Sequence, residues 1–430
     1  MSSEWPLVRL SDHVDACLGK MLDAKKNKGT LQPYLGNSNV RWGNFELDDL
    51  AEMRFEPHEE DRYGLAPGDL VVCEGGEPGR CAIWTSTVPG MKVQKALHRI
   101  RPKETLNNYY LYYWFCHSSN VGLLDPYFTG TTIKHLTGKA IAALQVPLPP
   151  VEVQSAMVDV LKSLDDRIAL LRETNSTLEA IAQAMFKSWF VDFDPVHAKQ
   201  QGRAPEGMSV ATAALFPDSF EDSELGLVPR GWKACSFTDT INTIGGGTPK
   251  TSIAEYWNGT IPWFSVVDAP SSSDVFVIDT DKHITEAGLK NSSTKLLATG
   301  TTIISARGTV GKLAIVGRDM AMNQSCYGLR GKANDNYYTY FSTYRIVETL
   351  KQRTHGSVFD TITRDTLSGV LVVYPTVPVV NAFEDLISPL MERIKENLIQ
   401  AQTLATLRDT LLPRLISGQL RIPDVEGVAI

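Results

Sequence analysis

The chain has 430 residues and carries 42 Lys and Arg against 49 Asp and Glu, a net charge of −7; that length has room for two or three domains. No stretch is long and apolar enough to be expected to cross a membrane, and the opening MSSEWPLVRL has charges and a proline where a leader would need an apolar core. Six cysteines show neither a C-x-x-C nor a disulfide framework, which points to a reducing, cytoplasmic setting.

Net acidity speaks against a nucleic-acid partner only until it is divided along the chain. Residues 1–150 carry 16 basic against 17 acidic side chains, and 151–228 carry 6 against 13. Residues 229–375 carry 15 against 12, and 376–430 carry 5 against 7. The acidity is concentrated in one stretch, and two near-neutral blocks are each able to present a basic face.

The first block, 1–150, opens on Trp5, Leu10 and Asp12 and reaches a lysine-rich loop after Gly19, with Lys20, Lys25, Lys26 and Lys28. Next comes LAPGDLVVCEGGEPGRCAI, which reads as an apolar strand, a glycine-rich hairpin or loop, and a second strand. The aromatic run YYLYYWF at 109–115 has the spacing of one helix face. Core packing therefore outweighs base stacking for Tyr109, Tyr112 and Tyr113. A Gly130-Thr131 turn, Lys134, Thr137 and Pro149 close the block.

From 151 to 193 the apolar steps alternate four and three: Met157, Leu161, Leu164, Ile168, Leu171, Asn175, Leu178, Ala182, Met185 and Trp189. That is a heptad seam held for about nine turns. Pro195, Pro205, Pro217 and Pro229 then exclude a long helix, so 194–228 reads as a linker or crossover of low regularity.

From residue 229 the chain repeats itself. Trp232, Phe237, Asp239 and Gly246 follow Trp5, Leu10, Asp12 and Gly19 at an offset of 227, and LLATGTTIISARGTVGKLAI follows the first glycine hairpin at 232. Tyr337, Tyr340 and Phe341 answer the first aromatic run, Gly356-Ser357 answers Gly130-Thr131, Thr363 answers Thr137 and Pro375 answers Pro149. An offset of 226 then reproduces the seam as Phe383, Ile387, Leu390, Ile394, Asn397, Ala401, Leu404, Arg408, Leu411 and Leu415. An asparagine recurs in it, Asn397 matching Asn175. The expected organisation is block 1–150, helix 151–193, linker 194–228, block 229–376, helix 377–418 and a loose tail 419–430. The fold class is α+β: two similar α/β domains with two long helices that bury each other's stripes.

The search for catalysis returns negatives. There is no P-loop and no H-E-x-x-H, and the eight histidines are scattered without ligand spacing. Gly245-Gly246-Gly247-Thr248-Pro249 favours a turn over a phosphate-binding helix. Asp125-Pro126-Tyr127-Phe128 lacks the second proline of the amino-methyltransferase signature, and no cofactor loop accompanies it. More suggestive are cations beside glycines, which can approach phosphate or guanine edges. The candidates for DNA contact are Lys20, Lys25, Lys26, Lys28, Arg80 and Lys134 in the first block. In the second they are Thr248, Lys250, Arg307, Lys312 and Arg364. Arg80 and Lys312 stand at the same place in both copies.

Taken together, the motifs resemble the specificity subunit of type I restriction–modification systems. They are GDLVVCEGGEPGRCAIW, PLPPVEVQSAMVDVLKSLDDRI, MFKSWFVDFDP with GRAPEGM and LFPDSF, GGGTPKTSIAEYWNGTIPWFSVVD, SARGTVGK, MNQ and LRDTLLPRLISGQL. The resemblance covers essentially the whole chain. It implies two target-recognition domains separated by an antiparallel coiled coil, with an internal pseudo-twofold, each domain gripping half of a split duplex DNA site. It also implies no chemistry and no cofactor on this chain. Two docked methyltransferase subunits would use S-adenosylmethionine, and restriction subunits would use ATP and Mg2+. The first block departs from the pattern: it lacks the GGGTP turn, so contacts do not transfer from one block to the other. The rival readings are a stand-alone DNA methyltransferase or nuclease, or a coiled-coil adaptor with no DNA partner.

Overall fold

The computed structural model describes residues 5–23, 27–85, 88–270, 274–353 and 361–422. By their internal contacts the residues form two units, Met1–Asp166 with Leu404–Ile430, and Arg167–Thr403. Each long helix, Val151–Phe190 and Val377–Ser417, thus gives one part of its length to each unit, whereas the sequence boundaries divide the chain linearly.

In the first unit a four-stranded antiparallel sheet runs in the order Val14–Leu18, Leu97–Pro102, Leu70–Cys73, Cys81–Ile83. The strand Leu70–Cys73 is buried throughout because its two faces serve two cores, as a period of two requires. Leu70 and Val72 join Tyr110, Trp114 and Phe115 of the helix Asn108–Asn120. Val71 and Cys73 join Leu35, Trp84 and Val93 on the other side. Asn107 starts that helix by accepting from the backbone of Tyr109 and Tyr110, an ordinary N-cap. Met157, Val158 and Leu161 of the first long helix and Leu412, Leu415 and Ile416 of the second complete the same core.

The second unit repeats the plan with one more strand. Its order is Ile241–Gly245, Cys326–Gly331, Thr302–Ser305, Leu313–Val316, Phe276–Val277, the last pair parallel. The repeat extends to small details. Each block is closed by a short antiparallel pair just ahead of its long helix, Leu7–Arg9 with Gln145–Pro147 and Lys233–Ser236 with Leu371–Tyr374. Thr137 and Thr363 each cap a short helix. In the glycine hairpins, Gly79 has φ +95° and Gly311 φ +80°, a region a side chain rarely enters.

Within the second unit the long helices run antiparallel: Asn175 lies against Ile394 and Asn397, while Phe190 lies against Phe383 at 5.1 Å. Phe186, Trp189, Phe341 and Tyr338 fill in around Phe383. In the first unit Arg408 Nη1 donates to Asp165 Oδ1 at 2.6 Å, and Tyr113 donates to Asp165 Oδ2 at 2.7 Å. None of the twenty seam residues is exposed: Leu161, Ile168, Leu171, Asn175, Ile387, Ile394 and Asn397 are among those buried, and Leu164, Leu178, Met185, Leu390, Leu404, Arg408 and Leu411 are half-buried.

Asn175 and Asn397 do not match each other in the repeat. At the offset of 226 that aligns the seams, Asn175 falls on Ala401 and Asn397 on Leu171. They are therefore not repeat-equivalent positions but partners. Asn397 Nδ2 donates to Asn175 Oδ1 at 2.9 Å, and Asn175 Nδ2 donates to the Ile394 carbonyl at 3.0 Å. Both side chains are buried, at 2% and 1% exposure.

The stretch read as a linker of low regularity holds two short helices, Asp194–Gln200 and Val210–Ala214, and a hairpin, Phe220–Ser223 with Gly226–Pro229. Pro195 sits at a helix start and Pro229 at a strand end, where they cost little, and Pro205 and Pro217 lie between the elements. Of the tail, Leu420 and Ile422 pack on the first core; residues 423–430 lie outside the described residues. Among the described residues no helix is long and apolar enough to cross a membrane.

Candidate nucleic-acid interface

At one end of each sheet the same loops gather, held by the same backbone hydrogen bonds. In the first unit Lys20 N donates to Val93 O at 3.0 Å, Leu97 N to Gln94 O at 3.1 Å, and Glu74 N to Ala96 O at 2.8 Å. In the second, Gly247 N donates to Met322 O at 3.0 Å, Cys326 N to Asn323 O at 3.3 Å, and Ala306 N to Ser325 O at 2.7 Å. A fourth pair brings in the loop before each short capped helix: Leu136 N to Glu74 O at 2.7 Å and Ile362 N to Ala306 O at 2.9 Å. The loop after the first sheet strand, a turn at 93–96 or 322–325, the glycine hairpin and the segment before the capped helix therefore converge in each unit. Gly19 and Gly246 are what let them meet. A Cβ on Gly19 would lie 2.5 Å from Gln94 O, and one on Gly246 would lie 1.9 Å from Asn323 O.

The candidate cations fare differently within this frame. Lys20 is not available to DNA: it is 5% exposed, its ammonium is shared between Glu59 and the Arg54 carbonyl, and it lies over the Phe55 ring at 5.0 Å. Burial works against the Glu59 charge, but the Lys20 hydrogen bond and the Glu56 amide hold its carboxyl below the ordinary value. Lys92, fully buried, repeats the device with Glu60 against the same ring. Arg80 is also engaged, donating to Glu77 and to the Asn37 carbonyl with 16% of its side chain exposed. Its proposed counterpart Lys312 is exposed, so the matched pair differs in what it can reach. Lys28, Lys250, Arg307 and Arg364 are exposed. Lys134 is exposed and lies over Phe128 at 5.5 Å. Thr248 donates its hydroxyl to Gln324 Oε1. Lys25 and Lys26, and the Gly356-Ser357 turn, fall outside the described residues.

The second hairpin carries Arg307 and Lys312, and Arg307 bridges Thr361 in the backbone, two residues before the Thr363 cap and three before Arg364. Two exposed side chains here escape a reading of the sequence, Lys95 and Gln324. They stand in register only when the backbone is seen, because the two turns share no identity at aligned positions. Among the described residues no group of three or more His, Cys, Asp or Glu is placed to hold a metal ion.

The fold is two repeated domains with matching loop clusters, and comparison with known proteins gives the family. The model of the type I restriction modification DNA specificity domain matches residues 3–180 and 229–398, and the chain belongs to that family. It is similar to the type I restriction enzyme HindI specificity subunit of Haemophilus influenzae, 27% identical over 67% of this chain and 72% of that one. It is similar also to the MjaIX specificity subunit of Methanocaldococcus jannaschii, 24% identical over 78% of this chain and 74% of the relative. In three dimensions it resembles the crystal structure of the M. genitalium type I S subunit, with a TM-score of 0.55, 16% identity and 96% of each chain covered. Specificity subunits are the non-catalytic DNA-recognition components of type I restriction–modification complexes, and that is the role of this family member.

Proposed function

We propose that the chain reads an asymmetric, bipartite duplex DNA site, one half with domain 1–150 and the other with domain 229–376. The helices 151–193 and 377–418 act as a spacer that sets the gap, 194–228 is the crossover and 419–430 the tail. Two adenine-N6 methyltransferase subunits dock on repeat-equivalent faces, and restriction subunits join through them. S-adenosylmethionine, ATP and Mg2+ belong to those partners, and the complex works in the cytoplasm.

The observation that carries the reading is the recurrence of one loop constellation at the end of each sheet with unlike side chains on it. Like backbones dock in like fashion, while unlike side chains select unlike bases. Two docking faces are supported by a cavity that recurs at equivalent places, about 280 Å³ beside Tyr113, Cys116, Asp409 and Leu412, and about 300 Å³ beside Phe341, Tyr344, Gln183 and Phe186. The spacer role is supported by length, since a helix of 40 residues is roughly 60 Å long at ~1.5 Å per residue.

The test maps N6-methyladenine across a genome with the chain and its methyltransferase supplied together, and with the methyltransferase alone. A split motif that appears only with the chain is expected. Removing the central heptad from both helices, residues 170–176 and 396–402, takes out Asn175 and Asn397 together and keeps the remaining seam in phase. It should shorten the gap by roughly three base pairs, at about 3.4 Å each, and leave both half-sites intact. An unchanged gap would remove the spacer role.

A further inference from the structure

The turns at 93–96 and 322–325 share three backbone hydrogen bonds and one pattern of exposure. Val93 and Met322 are buried, Gln94 and Asn323 half-buried, Lys95 and Gln324 exposed, Ala96 and Ser325 half-buried. One side chain in each turn therefore projects to solvent, and it is the same one. Each is also fixed from below. Lys95 N donates to the Lys20 carbonyl at 2.8 Å, in the loop pinned by the buried Lys20–Glu59 pair. Gln324 is held at its carboxamide by the Thr248 hydroxyl. The first turn also holds Ala96 at φ +122°, a conformation nearly confined to glycine, and such strain persists where the surroundings enforce one geometry.

The chemistry of the two exposed groups differs in a way that base edges distinguish. A carboxamide whose oxygen already accepts one hydrogen bond keeps a second lone pair and both N–H donors. It can thus accept from adenine N6 and donate to N7, and the Thr248 contact decides which way the amide faces. An ammonium has donors alone and matches the paired acceptors O6 and N7 of guanine.

We propose that Lys95 and Gln324 are matching base-reading residues of the two domains: Lys95 selects a guanine in the half-site of the first, and Gln324, positioned by Thr248, selects an adenine at the corresponding place in the half-site of the second. This rests on the bipartite reading above and adds to it which residues read and which bases they take. Both side chains lie on short turns pinned by backbone hydrogen bonds to the neighbouring loops and to the next sheet strand, which gives the precision that base readout demands.

The experiment maps N6-methyladenine motifs made by the full chain with its methyltransferase partner, as wild type, Lys95→Gln, Gln324→Lys and the double variant. In Gln324→Lys, one position of one half-site should shift from adenine toward guanine, with the original base losing roughly ten- to hundred-fold in relative methylation. The other half-site should stay as it was. Lys95→Gln should do the converse in the other half-site, and the double variant should show both changes. Lys95→Ala and Gln324→Ala should each make one position degenerate. The proposal is overturned if all variants give the wild-type motif at wild-type efficiency. It is equally overturned if methylation falls uniformly at every site without relaxing any base, as a phosphate contact would produce. If wild type itself yields no split motif, the bipartite reading fails and takes this assignment with it. A normal wild type with unmoved variants sinks the assignment alone.

Discussion

At the scale of single residues, burial decides what each charge can do. Glu384, on the second long helix, accepts the backbone N–H of Tyr338 at 2.7 Å and so caps the aromatic helix Asn336–Arg353. Burial pushes its carboxyl from 4.5 up to about 7 against the help of that amide, and nearby Asp335, itself raised by burial, adds to the shift. The folded state therefore binds a proton that the unfolded chain has released between pH 4.5 and 7. The stability due to that proton is present below about 4.5 and is lost as pH rises through 7. Glu384→Gln keeps an acceptor without a charge, so its melting temperature should exceed wild type at pH 8 and converge with it by pH 4.5. Linkage bounds the gap at roughly 3 kcal/mol. A gap that did not vary with pH would refute this. Ala96 offers a second test: Ala96→Gly relieves backbone strain of about 1–3 kcal/mol and adds about 1 kcal/mol of unfolded-state entropy, so denaturant unfolding should show a small net stabilisation. For the exposed cations, Lys312→Ala and Arg364→Ala should weaken binding of the complex to all duplexes alike. Each should reduce the slope of log affinity against log salt by about 1 if it meets a phosphate.

At the scale of elements, apolar layers hold the long helices together, with the buried Asn175–Asn397 pair set among them. Replacing Asn175 alone with Leu leaves the Asn397 amide and the Ile394 carbonyl facing a methyl group, and an unsatisfied buried polar group costs about 1–3 kcal/mol. Replacing both asparagines with Leu should recover that loss or exceed it, as apolar seams do at the expense of alignment. Chemical denaturation of the two single variants and the double variant, read as a cycle, should show strong coupling. Independent effects would mean the amides do not interact. The helices, the hairpin strands and the repeat were legible because heptads, alternation and glycine spacing are local or periodic signals. The fate of Lys20 was not, because nothing near it in sequence announces Glu59 or the Phe55 ring. The tie of Arg80 to the Asn37 carbonyl was hidden for the same reason, its partner lying in another loop. The turns at 93–96 and 322–325 escaped because their likeness lies in backbone bonds, and the one shared glutamine, Gln94 and Gln324, sits one residue out of register. The 220–229 hairpin was hidden by prolines that turned out to stand at its edge.

At the scale of the whole molecule, one plan repeated yields two sheets that share the order of four strands and carry different loop chemistry. If each domain reads its own half-site, replacing residues 229–376 with the corresponding block of another family member should change one half of the methylated motif and spare the other. A change in both halves would mean the domains do not read independently. The asparagine pair has a consequence for how such a duplicated chain stays one chain. Because it lies to one side of the repeat's symmetry point, it is matched only when a first helix meets a second. Two first helices from different molecules, aligned tail to head on the same seam, would set each Asn175 against a Leu171, and two second helices would set each Asn397 against an Ala401. Like therefore rejects like, and crowded copies of this protein are steered away from trading arms.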